Sequence, residues 1–108
     1  MPKSVMENKT AEEHELNISG IIEYCRAIFD YQKILFHPSN ERDVVDLLNE
    51  LRRLNVEHKI EYSLRRQSYV ATVKCGDSET CATHKNPLYA VSIAVALMVR
   101  SAKGEDPT

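Results

Sequence analysis

The segment VEHKIEYSLRRQSYVATVKC, residues 56–75, determines the predicted fold because it contains two successive runs of alternating apolar and polar residues. A period of two is typical of a β-strand with one buried face. In the first run the residues of the buried face are Val56, His58, Ile60, Tyr62 and Leu64. In the second run they are Tyr69, Ala71, Val73 and Cys75. With Arg65-Arg66-Gln67 as the turn, residues 56–75 are predicted to form an antiparallel hairpin.

A polar loop and a buried helix are predicted after the hairpin. The loop runs from Gly76 to Lys85, and Asn86-Pro87 then supplies a helix cap followed by Pro at the first helical position. Residues 88–99 are apolar almost all round, yet they are too few for the roughly twenty that cross a bilayer. Such a helix must be covered on several sides, either by the sheet and first helix of its own chain or by a second subunit. Both alternatives stay open, and the second predicts a homo-oligomer through the 87–101 helix.

Two elements are predicted immediately before the hairpin. Tyr31–Phe36 has the length and β-favouring residues of a short strand, which ends at the turn residues His37-Pro38-Ser39-Asn40. Ser39 or Asn40 then caps a second helix. Its predicted buried face consists of Val44, Val45, Leu47, Leu48, Leu51 and Leu54.

The first helix is predicted from a capping box, Thr10-Ala11-Glu12-Glu13, and from apolar residues at helical spacing up to Phe29. Polar residues 1–9 and 103–108 are interpreted as flexible tails, which leaves residues 10–102 as a single domain. The fold class is therefore α+β, with helices packed on a small antiparallel sheet. The predicted order is helix, short strand, helix, β-hairpin and C-terminal apolar helix.

Length and composition restrict the function. A chain of 108 residues with 43% hydrophobic residues has room for one core, and its formal net charge of -2 gives no global attraction to nucleic acid or to an anionic membrane. Three cysteines, an odd number, with no apolar stretch near the start predict a cytoplasmic protein with reduced thiols and no membrane association. Neither a Walker pattern nor a G-x-G-x-x-G motif is present, so nucleotide hydrolysis is not expected.

The turn at residues 36–40, the hairpin and the helix start Lys85-Asn86-Pro87-Leu88-Tyr89-Ala90 together resemble small tailed-phage proteins of the NinX type and the related phage ABA-sandwich domain. This resemblance covers residues 34–100, about two-thirds of the chain. It implies a phage or prophage origin, and for a phage-encoded protein the host cytoplasm as location. It implies little chemistry, and the residues of the motif look like helix caps.

Three residues offer the ligand types of a zinc site, since Cys75, Cys81 and His84 are spaced C-x5-C-x2-H, with His58 or Cys25 as a fourth. Structural zinc sites usually have paired ligands two to five residues apart, and this spacing does not match. We therefore predict no metal and no cofactor, with these three residues as weak candidates. A nucleophilic pair of Cys81 and His84 would also need an orienting third group. No catalytic residue is predicted.

Basic residues concentrate in the middle of the chain. Arg65 and Arg66 at the hairpin tip can hold a phosphate by forked hydrogen bonds, and Tyr62 or Tyr69 can stack on a base. The second candidate anion site is the helix start at Asn86, with His84 and Lys85 beside it. The structural alternative for these charges is a solvated rim.

These observations predict a non-enzymatic phage or prophage accessory protein that acts by binding. Its expected partner is a host protein, such as a defence component, which it would block. The other expected partner is the small anionic nucleotide that signals to such a defence component, which it would sequester. The alternative is a nucleic-acid-binding accessory factor of phage replication or recombination, acting through the basic hairpin.

Overall fold

The computed structural model describes residues 16–104, and it confirms the α+β class. The elements in chain order are α1 (Ile18–Ile28), α2 (Glu41–Arg53), β1 (Glu57–Ser63), β2 (Ser68–Cys75), β3 (Ser78–His84) and α3 (Pro87–Ala102). The three strands form an antiparallel sheet in the order β1-β2-β3. The predicted capping box at residues 10–13 and the tail at residues 1–9 lie outside the described residues, as do residues 105–108.

The predicted hairpin is confirmed as β1 and β2. Ile60 lies opposite Ala71, and Tyr62 lies opposite Tyr69. Residues 64–67 form the turn, in which Gln67 has a positive φ of 53° and the Arg66 backbone N–H donates to Ser63 Oγ at 3.2 Å. The alternation therefore gives the correct register because both runs bring their apolar residues to the same side of the sheet.

Burial along this side differs from the prediction for β1. Ala71 and Val73 of β2 are fully buried, whereas Ile60 is 36% exposed and Tyr62 is 51% exposed. The predicted burial of Leu64 is wrong, because this residue lies in the turn after β1 and is 84% exposed. α3 packs mainly on β2 and β3, so β1 extends beyond the helix that covers the rest of the sheet. Cys75 at the end of β2 is exposed as well, and its predicted burial is wrong.

β3 replaces the polar loop predicted from Gly76 to Lys85. Gly76 adopts a φ of 62° in the tight turn that joins β2 to β3, a conformation that costs glycine little. Small polar residues dominate the strand, which is why the sequence resembles a loop. Thr80 nevertheless faces the helix layer, because its Oγ1 donates to the Ala94 carbonyl at 2.8 Å.

The strand predicted at Tyr31–Phe36 is wrong. These residues form an irregular connection that begins with positive φ values at Asp30 and Tyr31 and leaves Ile34 and Leu35 more than three-quarters exposed. It is held in place by Lys33, whose carbonyl accepts from Arg26 Nε at 2.9 Å. The Lys33 ammonium also pairs with Asp43 at 3.1 Å and Asp46 at 3.2 Å. A β-favouring sequence therefore does not form a strand here, because it serves as a tethered link between two helices.

The helices begin at asparagine caps. Asn17, Asn40 and Asn86 each accept a backbone N–H of the first turn of their helix. At Gly20 of α1 a Cβ would lie 2.9 Å from Leu16 Cδ1, so a larger residue there would require the end of that leucine side chain to move. On α2 the predicted buried face is only partly confirmed. Val44, Leu47 and Leu51 are buried, Leu48 is half-buried, and Val45 and Leu54 are exposed.

α3 is the central element of the molecule. It packs on β2 and β3 and on α1, while α2 contacts it beside β1. Every residue from Ala90 to Val99 is buried within one chain. The chain's own elements thus cover this apolar helix, as in the first of the two predicted alternatives. Burial of the helix therefore does not require the predicted homo-oligomer through residues 87–101.

Candidate ligand-binding site

Four rings form a row across one end of the molecule, at the hairpin tip and the start of α3. Tyr62 lies opposite Tyr69, and Tyr69 lies opposite His84, so antiparallel register puts the three side chains on one face of the sheet. The Tyr62 and Tyr69 rings meet edge to face with centroids 5.0 Å apart. His84 stacks on Tyr89 of α3 at 4.8 Å and 16°. We call Tyr62, Tyr69, His84 and Tyr89 the aromatic row.

The junction between β3 and α3 fixes His84 in this row. The Asn86 backbone N–H donates to His84 Nδ1 at 2.9 Å, and Asn86 Oδ1 accepts from the Leu88 N–H at 2.8 Å. Because Nδ1 is the acceptor, a proton at that nitrogen would break the first bond. Two predicted ligand residues, His84 and Asn86, therefore also have a structural role in joining strand to helix.

Cations lie at both ends of the aromatic row. Arg65 and Arg66 are exposed in the turn that follows β1, and Lys85 is exposed in the junction before α3. The backbone of the turn is held by the Ser68 hydroxyl, which donates to the Arg66 carbonyl at 3.2 Å. Arg65 and Arg66 are thus exposed in a turn whose backbone is held by hydrogen bonds and which follows the strand that carries Tyr62. All seven predicted binding residues lie at the same end of the sheet: Tyr62, Arg65, Arg66, Tyr69, His84, Lys85 and Asn86.

Two residues of this region were not predicted from the sequence. Tyr89 was interpreted only as part of a helix start, and His37 only as part of a turn. The exposed His37 ring lies 6.5 Å from the Tyr89 ring at 82°, and its Nδ1 contacts the Ser39 hydroxyl at 2.6 Å. Residue spacing gives no signal for the contact between His37 and Tyr89, because these residues are far apart in the chain and meet only in the folded molecule.

A cleft of about 620 Å³ adjoins the row between the start of α1, the end of β3 and α3. Its wall is largely apolar and includes Ile18, Ile21 and Ile93, while His84 and Lys85 lie at its edge. Thr83 also lines the cleft, but its Oγ1 is buried and has no hydrogen-bond partner. Asn17 and Ser68 also line the cleft, so the polar side chains of its wall include these two residues as well as His84 and Lys85.

The weak zinc candidates do not meet. Cys81 lies opposite Thr72, which is three residues before Cys75 in β2. Because side chains alternate between the two faces of a strand, Cys75 and Cys81 lie on opposite faces of the sheet. Cys75 and His84 share a face but lie at opposite ends of it, about 20 Å apart at 3.3 Å per residue. Within residues 16–104 no group of three or more His, Cys, Asp or Glu side chains is arranged to hold a metal ion.

The remaining thiol and imidazole candidates are separated in the same way. Cys81 lies on the face opposite His84, and its Sγ contacts Thr72 Oγ1 at 3.6 Å. Cys25 is fully buried and donates to the Ser92 carbonyl at 3.3 Å, and its burial raises the pKa of the thiol far above the ordinary value. His58 is half-buried near the start of β1, where partial burial and the nearby Arg52 cation lower the pKa of the imidazole.

No protein-family model, curated protein or solved structure matches this chain. In the part of the chain that the structure describes, no helix is both long and apolar enough to cross a membrane.

Proposed function

We propose that this chain is a phage or prophage accessory protein that acts without catalysis, by binding a small anionic nucleotide and withdrawing it from a host defence system in the cytoplasm. The observation that carries the proposal is that the exposed Tyr62 ring, near the end of β1, is followed by two exposed arginines in the hairpin turn. A nucleobase can stack on an aromatic ring while a phosphate accepts forked hydrogen bonds from a guanidinium. The resemblance to small phage proteins supplies the biological setting.

Binding is favoured over catalysis by the arrangement of the reactive side chains. The thiol of Cys25 is buried and protonated, and Cys81 faces away from His84. Nucleophilic catalysis needs a nucleophile and a base within hydrogen-bond reach. A protein that sequesters a ligand needs only complementary groups on its surface, which the aromatic row and the flanking cations provide.

The second candidate function is binding of single-stranded nucleic acid in phage replication or recombination. It is favoured by the position of Arg65 and Arg66 beside Tyr62 on an exposed turn, because stacking rings next to backbone-tracking cations also bind single strands. The two functions differ in the ligand that fits. A nucleotide is held by one base and one phosphate group, whereas a strand needs phosphate contacts at several successive positions.

Titration calorimetry with two probes, adenosine diphosphate and a short single-stranded oligothymidine, tests both functions. The nucleotide proposal expects saturable binding of the diphosphate that is lost in the Arg65→Ala, Arg66→Ala double variant and in Tyr62→Ala. The matched control is Arg52→Ala, Arg53→Ala, which removes two positive charges from the last turn of α2, just before the start of β1 and therefore at the end of that strand away from the hairpin tip. Equal loss of binding in the control would show that only net charge matters and would contradict the proposed site.

The oligonucleotide distinguishes the second function. A strand-binding protein should bind it more tightly than the diphosphate, and its affinity should fall steeply with salt. Removing two phosphate contacts should reduce the slope of log affinity against log salt by about 1.4, at roughly 0.7 per contact in single strands. An unchanged slope in the Arg65→Ala, Arg66→Ala variant would contradict strand binding through the hairpin tip.

A further inference from the structure

β1 is an exposed edge strand. Among the described strands it pairs only with β2, and five of its seven residues are exposed, Ile60 and Tyr62 among them. Leu64, which follows the strand, is 84% exposed. An edge of this kind presents unpaired backbone N–H and C=O groups together with apolar side chains, and proteins usually protect it from pairing with another chain.

The sequence of β1, EHKIEYS, is complementary to itself when two copies run antiparallel about Ile60. In that register Lys59 of one copy lies opposite Glu61 of the other, and the same pair recurs on the other side of the two-fold axis. Directly opposed residues share a face, so both charge pairs lie on the face of the sheet away from α3. On the helix side, Ile60 meets Ile60 of the second copy.

Neighbouring registers are disfavoured by the same charges. A shift that centres the pairing on Lys59 puts two lysines opposite each other and places Glu57 opposite Glu61. Centring the pairing on Glu61 puts two glutamates together. Like charges directly opposed destabilise a sheet, whereas opposite charges stabilise it. The Ile60-centred register avoids these repulsions and also pairs all seven residues of the strand.

We propose that β1 is a dimerisation edge, at which two copies of this chain join their three-stranded sheets into a continuous six-stranded sheet. The interface is isologous, as in most homodimers, because residue 59 contacts residue 61 in both directions. The Lys59 and Glu61 side chains of one copy now lie 3.8 Å apart along their own strand, and both are about two-thirds exposed. Dimerisation replaces two such weak pairs, one in each copy, with two cross-strand pairs and covers the Ile60 side chains.

This interface differs in place from the oligomer contact predicted through residues 87–101, which α3 cannot supply while it is buried in its own chain. It also does not depend on the proposed function. The measurement below is of mass and uses no nucleotide, so failure of the dimer leaves the ligand proposal standing, and the reverse is equally true.

Sedimentation equilibrium over a concentration series tests the proposal on the full chain. The parent should form a concentration-dependent dimer. Lys59→Glu should place glutamates opposite each other, and Glu61→Lys should do the same with lysines. Each single variant loses two attractive pairs and gains two repulsive ones, so its dimer dissociation constant should rise about tenfold or more.

Restoration makes the test specific. The exchanged double variant, K59E with E61K, should dimerise as the parent does. A mixture of the two single variants should form a heterodimer, because the glutamates at positions 59 and 61 of one chain then lie opposite the lysines at positions 61 and 59 of the other. The control is Glu79→Lys on β3. Like Glu61→Lys, it replaces a glutamate with a lysine on the face of the sheet away from α3, but it lies two strands away from the β1 edge and should leave the dimer unchanged. Far-ultraviolet circular dichroism establishes that each variant is folded.

Three results would overturn the proposal. The first is a parent that stays monomeric at every concentration. The second is a dimer that persists equally in both single variants, and the third is a mixture of folded single variants in which no heterodimer forms.

Discussion

At the scale of single residues, Ser92 is an uncompensated polar group in the middle of the core. The residue is fully buried in α3 and its Oγ has no hydrogen-bond partner, although its carbonyl accepts from the Cys25 thiol. Burying an unpaired hydroxyl costs free energy, so Ser92→Ala should raise the free energy of unfolding by about 1 kcal/mol. Urea denaturation measures the change, with the exposed Ser101→Ala on the same helix as control. A less stable Ser92→Ala protein would mean that the hydroxyl has a partner.

His58 gives the protein a predictable dependence on pH. Partial burial and the Arg52 cation lower the pKa of its imidazole in the folded state, so the unfolded chain takes up a proton at higher pH than the folded one. Its contribution to stability is therefore complete above about pH 6.5, the ordinary pKa of histidine, and is lost as the pH falls toward the lowered folded value. Between about pH 7.5 and about pH 5.5, the urea midpoint of the parent should fall more than that of His58→Gln. Equal falls in the two proteins would contradict this prediction.

At the scale of elements, the start of α3 depends on Asn86. Its side chain accepts the Leu88 N–H at 2.8 Å and completes the first turn of the helix that organises the core. Asn86→Ala should lower the free energy of unfolding by about 1 kcal/mol, the usual value of an N-cap. Asn86→Ser, which keeps a capping oxygen, should recover most of that loss in the same thermal or urea titration. Equal stability of the Ala and Ser variants would mean that the cap contributes nothing.

The elements also show which features a sequence specifies locally. The hairpin, α2 and α3 are predictable because periodicity and turn or cap residues lie within each segment. The periodicity also indicates α1, but this helix begins at Ile18 after the Asn17 cap, whereas the sequence predicts its start at the capping box of residues 10–13. β3 is not predictable, since its residues are small and polar and form a strand only by pairing with β2 and packing against α3, which Thr80 contacts. The strand predicted at Tyr31–Phe36 fails for the opposite reason. Its residues favour a strand, but they connect α1 to α2, and the ion pairs of Lys33 with Asp43 and Asp46 hold this connection against α2.

The same distinction applies to the aromatic row. Contact between Tyr62 and Tyr69 follows from the predicted hairpin, because a turn at residues 64–67 places them opposite each other. The position of Tyr69 opposite His84 requires β3, and the stacking of His84 on Tyr89 requires the packing of α3 against the sheet. The sequence therefore gives the continuity of the row only as far as the hairpin.

At the scale of the whole molecule, the proposed dimer determines how two ligand sites would be arranged. Antiparallel pairing about Ile60 directs the two hairpin tips, each with its Arg65 and Arg66, toward opposite ends of the joined sheet. Each aromatic row keeps four rings of its own chain: Tyr69, His84 and Tyr89 lie on the side of β1 away from the two-fold axis, while Tyr62 lies in the interface strand, opposite residue 58 of the second copy. Two complete and separated sites should bind independently.

Calorimetry with adenosine diphosphate should accordingly give one nucleotide per chain and a single affinity, both in the parent and in the exchanged K59E, E61K dimer. The single variants Lys59→Glu and Glu61→Lys are both expected to be monomeric, but they change the charge near the site in opposite directions. Averaging their nucleotide-binding free energies therefore cancels most of the effect of charge. This average should equal the binding free energy of the parent if the monomer carries a complete site. A stoichiometry of one nucleotide per two chains, or loss of binding in both single variants, would instead place the second copy in the site. In that case the β1 edge and the aromatic row would form one functional surface.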